Sequence, residues 1–298
     1  MITIKHLIIF KEVARVKSMS KAAENLYISQ PSISQKIQEI ENYYNVKLFQ
    51  RYSKSLGISQ EGQVFLEHAN KILGEIEALD RTFFNNKDNI TIRVGTTLTA
   101  GTTIAPKIFK NIEQKYPNLN LNVYVDNTQS IESLILENQL DIGIIEGDIN
   151  NENIVQDEFI KDEIVLICSK EHQLSKYKNI TPDKLLNMSF IVREKGSATR
   201  SKLEKYMILY KVPYRITWQC HSWESVKEAV LYNHGLTLIS KNLIKKEIEE
   251  GSLHIINVKG CNWDNNFSLC YHKNKAWNQN LENFKNYILS LKENELEI

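Results

Sequence analysis

Two stretches of this sequence set hydroxyl side chains at the start of a helical pattern, a chemistry that holds a small anion without reacting with it. The first is Val94-Gly95-Thr96-Thr97-Leu98-Thr99-Ala100-Gly101-Thr102-Thr103, where a strand pattern gives way to a helix. Unpaired N–H groups and the positive end of the helix dipole lie there beside the hydroxyls. Helix capping would use one threonine but not the cluster. The second stretch is Ile191-Val192-Arg193-Glu194-Lys195-Gly196-Ser197-Ala198-Thr199-Arg200, which adds two arginines suited to a carboxylate or an oxyanion. Its plainer reading is a capped helix with a solvated arginine pair. Gln129 and Ser130 open a third helix, where ligand contact and capping fit equally well. Ligands of open α/β sheets bind at such strand-to-helix junctions.

Reactive chemistry has no comparable signal. The patterns G-x-x-x-x-G-K-[ST], G-x-S-x-G and H-E-x-x-H are missing, and the seven histidines are scattered. Neither junction holds a nucleophile beside a base, and Cys220-His221, adjacent on a strand, would point to opposite faces. The four cysteines (Cys168, Cys220, Cys261, Cys270) lie far apart, form no C-x-x-C pair and read as small buried or half-buried thiols. No ligand cluster suits zinc. An enzyme, a metal site and a resident cofactor are therefore not expected.

A third group of residues suits nucleic acid. Ser29 can cap a helix with Pro31 in its first turn, where a missing N–H costs nothing. On that helix Ile33, Ile37 and Ile40 share one face, while Pro31, Gln35 and Gln38 point away from it, with Gln30 and Ser34 on the flank. An uncharged, hydrogen-bonding face of this kind matches base edges in a major groove. Leu48 to Ile58 reads as a tight strand–turn–strand with Arg51 and Lys54 near its tip, placed for phosphates or a narrow minor groove. Charge agrees: residues 1–58 carry nine Lys/Arg against four Glu, a balance of +5, within a chain whose net charge is only +1. A basic head on a mildly acidic body points to a polyanion partner for the head.

These residues need elements to hold them. Leu7, Phe10, Val13 and Ala14 mark a first helix, and Ser18 caps a second through Ala22, Ala23 and Leu26. From Gln60 the apolar residues Phe65, Ala69, Ile72, Ile76, Leu79 and Phe83 recur every three or four positions, an a/d seam suited to pairing with a second copy. Packing on its own domain is the other way to bury that stripe. Asn85-Asn86-Lys87-Asp88-Asn89 is a polar hinge. Beyond residue 90, strand and helix patterns alternate, which predicts parallel sheets flanked by helices in two lobes. The 298 residues contain no apolar run of the roughly 20 needed to span a bilayer. Met1 to His6 run straight into amphipathic sequence with no secretory signal, so a cytoplasmic protein with no membrane partner is expected.

Residues 7–66 closely resemble the winged helix-turn-helix head of LysR-type transcriptional regulators. The resemblance rests on Leu7, Phe10, Val13-Ala14, Ser18, Ala22-Ala23, Leu26, Ser29-Gln30-Pro31, Ser32, Ser34, Ile37, Glu41, Leu48-Phe49, Arg51 and Gly62 in fixed spacing. It implies an α/β chain with three parts. A winged helix-turn-helix domain covers residues 1–59, and a linker and dimerisation helix with its hinge covers 60–89. A two-lobed, periplasmic-binding-protein-like effector domain covers 90–298, with lobe I at about 90–162 and 268–298 and lobe II at about 163–267.

The implied function is regulation of transcription by a dimer or dimer of dimers on double-stranded promoter DNA, under control of a small molecule between the lobes, with RNA polymerase as a further partner. DNA contacts then fall to Gln30, Pro31, Ser32, Ser34, Gln35, Gln38, Arg51 and Lys54. Dimer contacts fall to Phe65, Ile72, Ile76 and Leu79. Gln35 stands where the family commonly has Arg, which favours an adenine contact over guanine. Asn45 replaces the usual Gly before the wing and tolerates a left-handed backbone. Thr97 and Thr99 match positions at which the family holds anionic effectors, joined by Gln129, Arg193, Ser197 and Thr199. Arg193 to Arg200 is similar to the R-E-x-G-S-G-T-R stretch of a sulfur-metabolism subgroup, which implies a sulfur oxyanion or carboxylate effector. Two alternatives remain. A thiol-redox-responsive regulator of the same family would need cysteines near the second junction, yet residues 196–211 contain none. A cytoplasmic solute-binding protein would leave the basic head without a role.

Overall fold

The computed structural model of the chain describes residues 1–52, 55–84, 90–263 and 265–292. It divides into two compact units, Met1–Asp88 with Leu136–Asn138, and Asn89–Ile135 with Gln139–Ile298.

The first unit begins with helices α1 (Ile4–Val16), α2 (Met19–Asn25) and α3 (Gln30–Tyr44). Ser18 and Ser29 cap α2 and α3, each accepting a backbone N–H at 3.3 Å, with Pro31 in the first turn of α3. Asn45 ends α3 in the left-handed region at φ 54°. Ile33, Ile37 and Ile40 are buried against Leu7, Phe10 and Val13, so the three helices share one core. Strands β1 (Phe49–Tyr52) and β2 (Ser55–Ile58) pair antiparallel, and α4 (Gln60–Phe84) follows. The buried carboxylate of Glu41 fixes the approach to β1 by accepting the Leu48 N–H at 2.9 Å and the Lys47 ammonium at 2.7 Å. Where α4 passes this turn a side chain cannot fit: a Cβ on Gly62 would lie 2.1 Å from the Leu48 carbonyl oxygen.

The expected seam of α4 is only partly outward. Phe65 packs into the unit's own core, its ring 4.7 Å from that of Phe10 and 5.8 Å from that of Tyr44. Ala69 and Leu73 are buried there too. At that end, packing on its own domain wins over pairing because the first turns of α4 are the lid of the head's core. Farther along, Ile72 and Leu79 remain exposed, at 48% and 58%, and Ile76 is half-buried.

The second unit is built in two lobes. The chain first lays down β3 (Ile90–Thr97), α5 (Leu98–Thr103), α6 (Ala105–Lys115), β4 (Leu119–Asp126), α7 (Thr128–Leu136), β5 (Ile142–Glu146) and β6 (Ile154–Asp162). It crosses over into β7 (Ile164–Ser169), β8 (Asn179–Ile180), β9 (Ser189–Arg193), α8 (Ala198–Leu209), β10 (Arg215–Cys220), α9 (Trp223–Leu231), β11 (Thr237–Ser240), α10 (Lys245–Glu249) and β12 (Leu253–Val258). It then returns as β13 (Asn265–His272) and α11 (Gln279–Ser290).

The first lobe's sheet has the order β4-β3-β5-β13-β6, and the second lobe carries β11-β7-β12-β8 beside the pair β10-β9. Alternation along the strands sorts the core. Ile144 faces Ile108 and Phe284 on one side of the first sheet, while its neighbour Ile145 faces Ile131 and Ile135 on the other. In the second lobe Phe190 and Val192 face α8, and Ile191 faces α9.

The sheets are mixed, where parallel ones were expected. β3 runs parallel to β4 and β5, but β13 runs antiparallel to both β5 and β6, and β7 is antiparallel to β11 and β12. The cause is the double crossing between lobes: a chain that leaves the first sheet and comes back enters it from the opposite end.

Candidate functional site

The first junction forms where β3 ends at Thr97 and α5 begins at Leu98. Its neighbour β5 ends at Glu146, so the carboxyl ends of two paired parallel strands bring Thr97 and Thr99 to one carboxyl group. Thr97 Oγ1 donates to one oxygen of Glu146, and Thr99 Oγ1 donates to the other at 2.9 Å. All three side chains are buried. Burial pushes the Glu146 carboxyl above the ordinary carboxylate range, the two threonine hydroxyls pull it back, and the charge of Asp162 raises it further. Thr128, the first residue of α7, hydrogen-bonds the Glu146 carbonyl oxygen at 3.3 Å.

The second lobe meets this group directly. Trp223 Nε1, at the start of α9, donates to Thr99 Oγ1 at 3.1 Å. The Arg193 guanidinium lies 4.8 Å from the same indole ring and forms a two-pronged pair with Glu194, both bonds at 2.9 Å. Asn127 Nδ2 crosses back to Glu194 at 3.1 Å, and the Gln129 N–H donates to the Gly196 carbonyl at 3.3 Å. Gly196 is at φ +93°, and a Cβ there would meet Asn127 Oδ1 and Gln129 Oε1 at 2.9 Å. At that φ any other residue would be strained, and its Cβ would push the Asn127 and Gln129 side chains aside. Behind the loop, Ser197 and Thr199 bond each other at 2.9 Å, and Arg200 is anchored on the Arg193 carbonyl and on Gln219.

The structure thus brings Thr97, Thr99, Gln129 and Arg193 to one interlobe junction, with Ser197 and Thr199 at the start of α8 behind it. Sequence reasoning missed Glu146, Trp223, Asn127 and the partner role of Glu194. The strand pattern Leu140 to Ile145 stops one residue short of Glu146, and a carboxylate closing a buried strand was the available signal. Trp223 lies directly after Ser222, which caps α9. Three of the expected anion ligands are engaged internally: Thr97 and Thr99 by Glu146, Arg193 by Glu194. In this state the site presents two acidic groups and one cation, and an incoming anion has to replace those bonds.

In the first unit, Gln30, Pro31, Ser32, Gln35 and Gln38 are exposed on one face of α3, and Ser34 is half-buried. Ser32 is partly committed to the cap, its hydroxyl 2.7 Å from that of Ser29. Gln35 Nε2 donates to Glu39 Oε1 at 3.0 Å, while Lys36 and His6 hold Glu39 Oε2 at 2.7 and 2.8 Å. Lys36 first, then His6, hold the Glu39 carboxyl down at about 2. That bond leaves Gln35 its carbonyl oxygen and one N–H, the pair an adenine edge requires. The Arg51 side chain and Lys54 lie outside the described residues.

Cys168, Cys220 and Cys270 are buried and Cys261 half-buried, all as free thiols. Burial pushes each of the four up, Cys168 and Cys261 to about 12, which keeps them protonated and unreactive. Among the described residues no cluster of His, Cys, Asp and Glu could hold a metal ion, and no helix is long and apolar enough to cross a membrane.

Two family models match the chain. Residues 4–63 match the family described as "Bacterial regulatory helix-turn-helix protein, lysR family", and residues 86–292 match "LysR substrate binding domain". The "Probable RuBisCO transcriptional regulator" of Trieres chinensis is 33% identical over 267 residues, covering 86% of each chain. The "HTH-type transcriptional regulator CysL" of Bacillus subtilis (strain 168) is 29% identical over 290 residues, 96% of this chain and 95% of that one. Among solved structures, the CcmR regulatory domain of Synechocystis PCC6803 in complex with 2-PG superposes with a TM-score of 0.63. It has 22% identity and covers 67% of this chain and 96% of that chain.

Proposed function

This chain belongs to the LysR family of DNA-binding transcriptional regulators, and we propose that its effector is a small carboxylate or oxyanion taken up together with a proton on Glu146. The carrying observation is that Thr97 and Thr99 spend their hydroxyl protons on Glu146. If the carboxyl holds its own proton, it no longer needs two donors, and the threonines can turn toward the ligand. Burial already favours that neutral form. Arg193 then supplies charge, Gln129 with Ser197 and Thr199 at the start of α8 supply further donors, and Trp223 carries the change from one lobe to the other. The ligand shifts the lobes only by its preference for one arrangement over another.

In the same reading the chain works in the cytoplasm as a dimer or dimer of dimers joined through α4, meets RNA polymerase at the promoter, and catalyses no reaction. The four protonated thiols argue against a redox switch, and the nucleic-acid face of α3 argues against a plain solute-binding protein.

Calorimetry with sulfate, thiosulfate and glycolate at pH 6 and pH 8 tests the proposal. The anion that binds should do so more tightly at pH 6, with uptake of a proton seen as a dependence on buffer ionisation heat. Glu146→Gln, a mimic of the neutral acid, should bind at both pH values as the parent does at pH 6. Thr99→Val should lose binding. Affinity in the parent that is indifferent to pH, or a Glu146→Gln variant that keeps the pH dependence, would refute it.

A further inference from the structure

Strand β12 has a gap along one side. β7 pairs with Leu253–Ile256, whereas β8, on the other side, reaches only Asn257 and Val258. The chain ahead of β8 coils into a short 3-10 helix at Gln173–Lys176, so it cannot extend the ladder. The N–H groups of Asn257 and Lys259 donate toward β8, to the Lys178 and Ile180 carbonyls at 3.1 and 2.7 Å. The Ser252 carbonyl accepts from Lys170 on the β7 side. Backbone groups alternate sides along a strand, so those of Leu253 and Ile255 turn toward the gap. Among the described residues no backbone partner meets them there.

A groove of about 670 Å3 opens at that gap, wholly on the second lobe and sharing no residue with the effector junction. Leu253, buried, and Ile248 and Ile255, half-buried, give it one apolar side. The exposed side chains of Lys170, Lys176 and Lys178 give it charge, and no acid lines it. Ion pairs of the neighbouring elements fall elsewhere, Lys227 with Glu247, Lys241 with Glu163 and Lys246 with Glu250. Among the described residues no ion pair involves the three lining lysines.

We propose that this edge of the second lobe docks an extended segment of a partner protein in which acidic and apolar residues alternate. A strand added to an open sheet edge gains affinity from main-chain hydrogen bonds, here to Leu253 and Ile255, and specificity from its alternate side chains. One set of those side chains falls on the sheet face of Leu253, Ile255 and Ile248. The other set meets a lining that holds three cations and no acid, which selects carboxylates. Duplex DNA or a free small anion would use the lysines, but neither would use the open strand edge or the apolar side.

Fluorescence anisotropy on the full chain at about 0.15 M salt, with the labelled peptide Glu-Leu-Glu-Ile-Glu-Leu-Glu as the probe, tests the docking. The peptide should bind, and the same peptide with Gln for Glu should bind at least tenfold more weakly. N-methylation removes backbone donors: on one alternate set of peptide residues it should weaken binding at least tenfold, and on the other set it should not. Lys176→Glu combined with Lys178→Glu, checked for unchanged melting temperature and operator affinity, should also weaken binding at least tenfold. Excess duplex DNA, which fills the basic head, should leave the peptide bound. The proposal is overturned if the peptide does not bind, if the double variant binds it as the parent does, if neither methylation pattern matters, or if DNA displaces it.

Discussion

Asp162 ends β6 where the chain crosses from the first lobe to the second, and its side chain has no exposed surface. Ser240 Oγ, at the end of β11, donates to its Oδ1 at 2.6 Å. Burial nevertheless dominates and lifts the carboxyl from its ordinary 3.8 to about 6, with the Ser240 and Asn242 side chains and Lys202 pulling the other way. A raised value means the folded state binds this proton more tightly than the unfolded chain does. The stabilisation is complete below pH 3.8 and is lost as pH rises through about 6. At about 1.4 kcal/mol for each tenfold change in proton affinity, the loss is about 3 kcal/mol. Asp162→Asn keeps the shape and the acceptor for Ser240 but cannot ionise. It should match the parent near pH 4 and exceed it by about 3 kcal/mol near pH 7.5, with some further gain because the Asp162 charge no longer raises Glu146. Urea unfolding of both proteins at four pH values between 4 and 7.5, read on the transition of the lobed unit, gives the difference directly, and groups common to both proteins cancel. A difference that stays within about 0.5 kcal/mol across that range, or that falls with pH, would refute the reasoning.

The head and linker offer two further tests. Gln35→Ala should reduce discrimination between cognate and mismatched operators by about 1–3 kcal/mol, measured as the ratio of specific to non-specific affinity. Arg51→Ala should instead weaken both affinities alike. Ile72→Glu changes an exposed side chain, so the isolated chain should fold normally, while a dimer seam through α4 would bury an unpaired charge costing about 3–5 kcal/mol. Light scattering should then report monomers; a persistent dimer would place the interface elsewhere.

Features set by local chemistry were legible in the sequence. Ser18, Ser29, Pro31 and Asn45 act through their own backbone neighbours, and each stands where its residue type suggests. Ile33, Ile37 and Ile40 needed only helical periodicity to show which face is buried, and thereby which face carries the glutamines. Non-local features were hidden. β13 alternates Phe267, Leu269 and Tyr271 with Ser268, Cys270 and His272, but that pattern does not give its direction, which is fixed by where the chain re-enters the first sheet. Phe65 fits a heptad seam and a head core equally well, and only the proximity of Phe10 decides between them. The thiols stand as their isolation suggested, three buried and Cys261 half-buried.

Glu146 shows why the ligand site was half legible. Thr97 and Thr99 advertise hydrogen-bond donors, and donors in a sequence look the same whether their acceptor is a ligand or a protein carboxyl. Nothing within 40 residues of Thr99 says that β5 will pair beside β3 and end in Glu146. The same ambiguity governs Arg193, whose partner Glu194 is its immediate neighbour, and whose position over Trp223 depends on how β9 and α9 pack within the second lobe. A site whose threonine donors are already engaged by a protein carboxyl is quiet until something replaces that acceptor. That is a useful property in a regulator: the closed network of Glu146, Thr99 and Trp223 sets the free energy an effector must exceed, and only a ligand matching that geometry can do so.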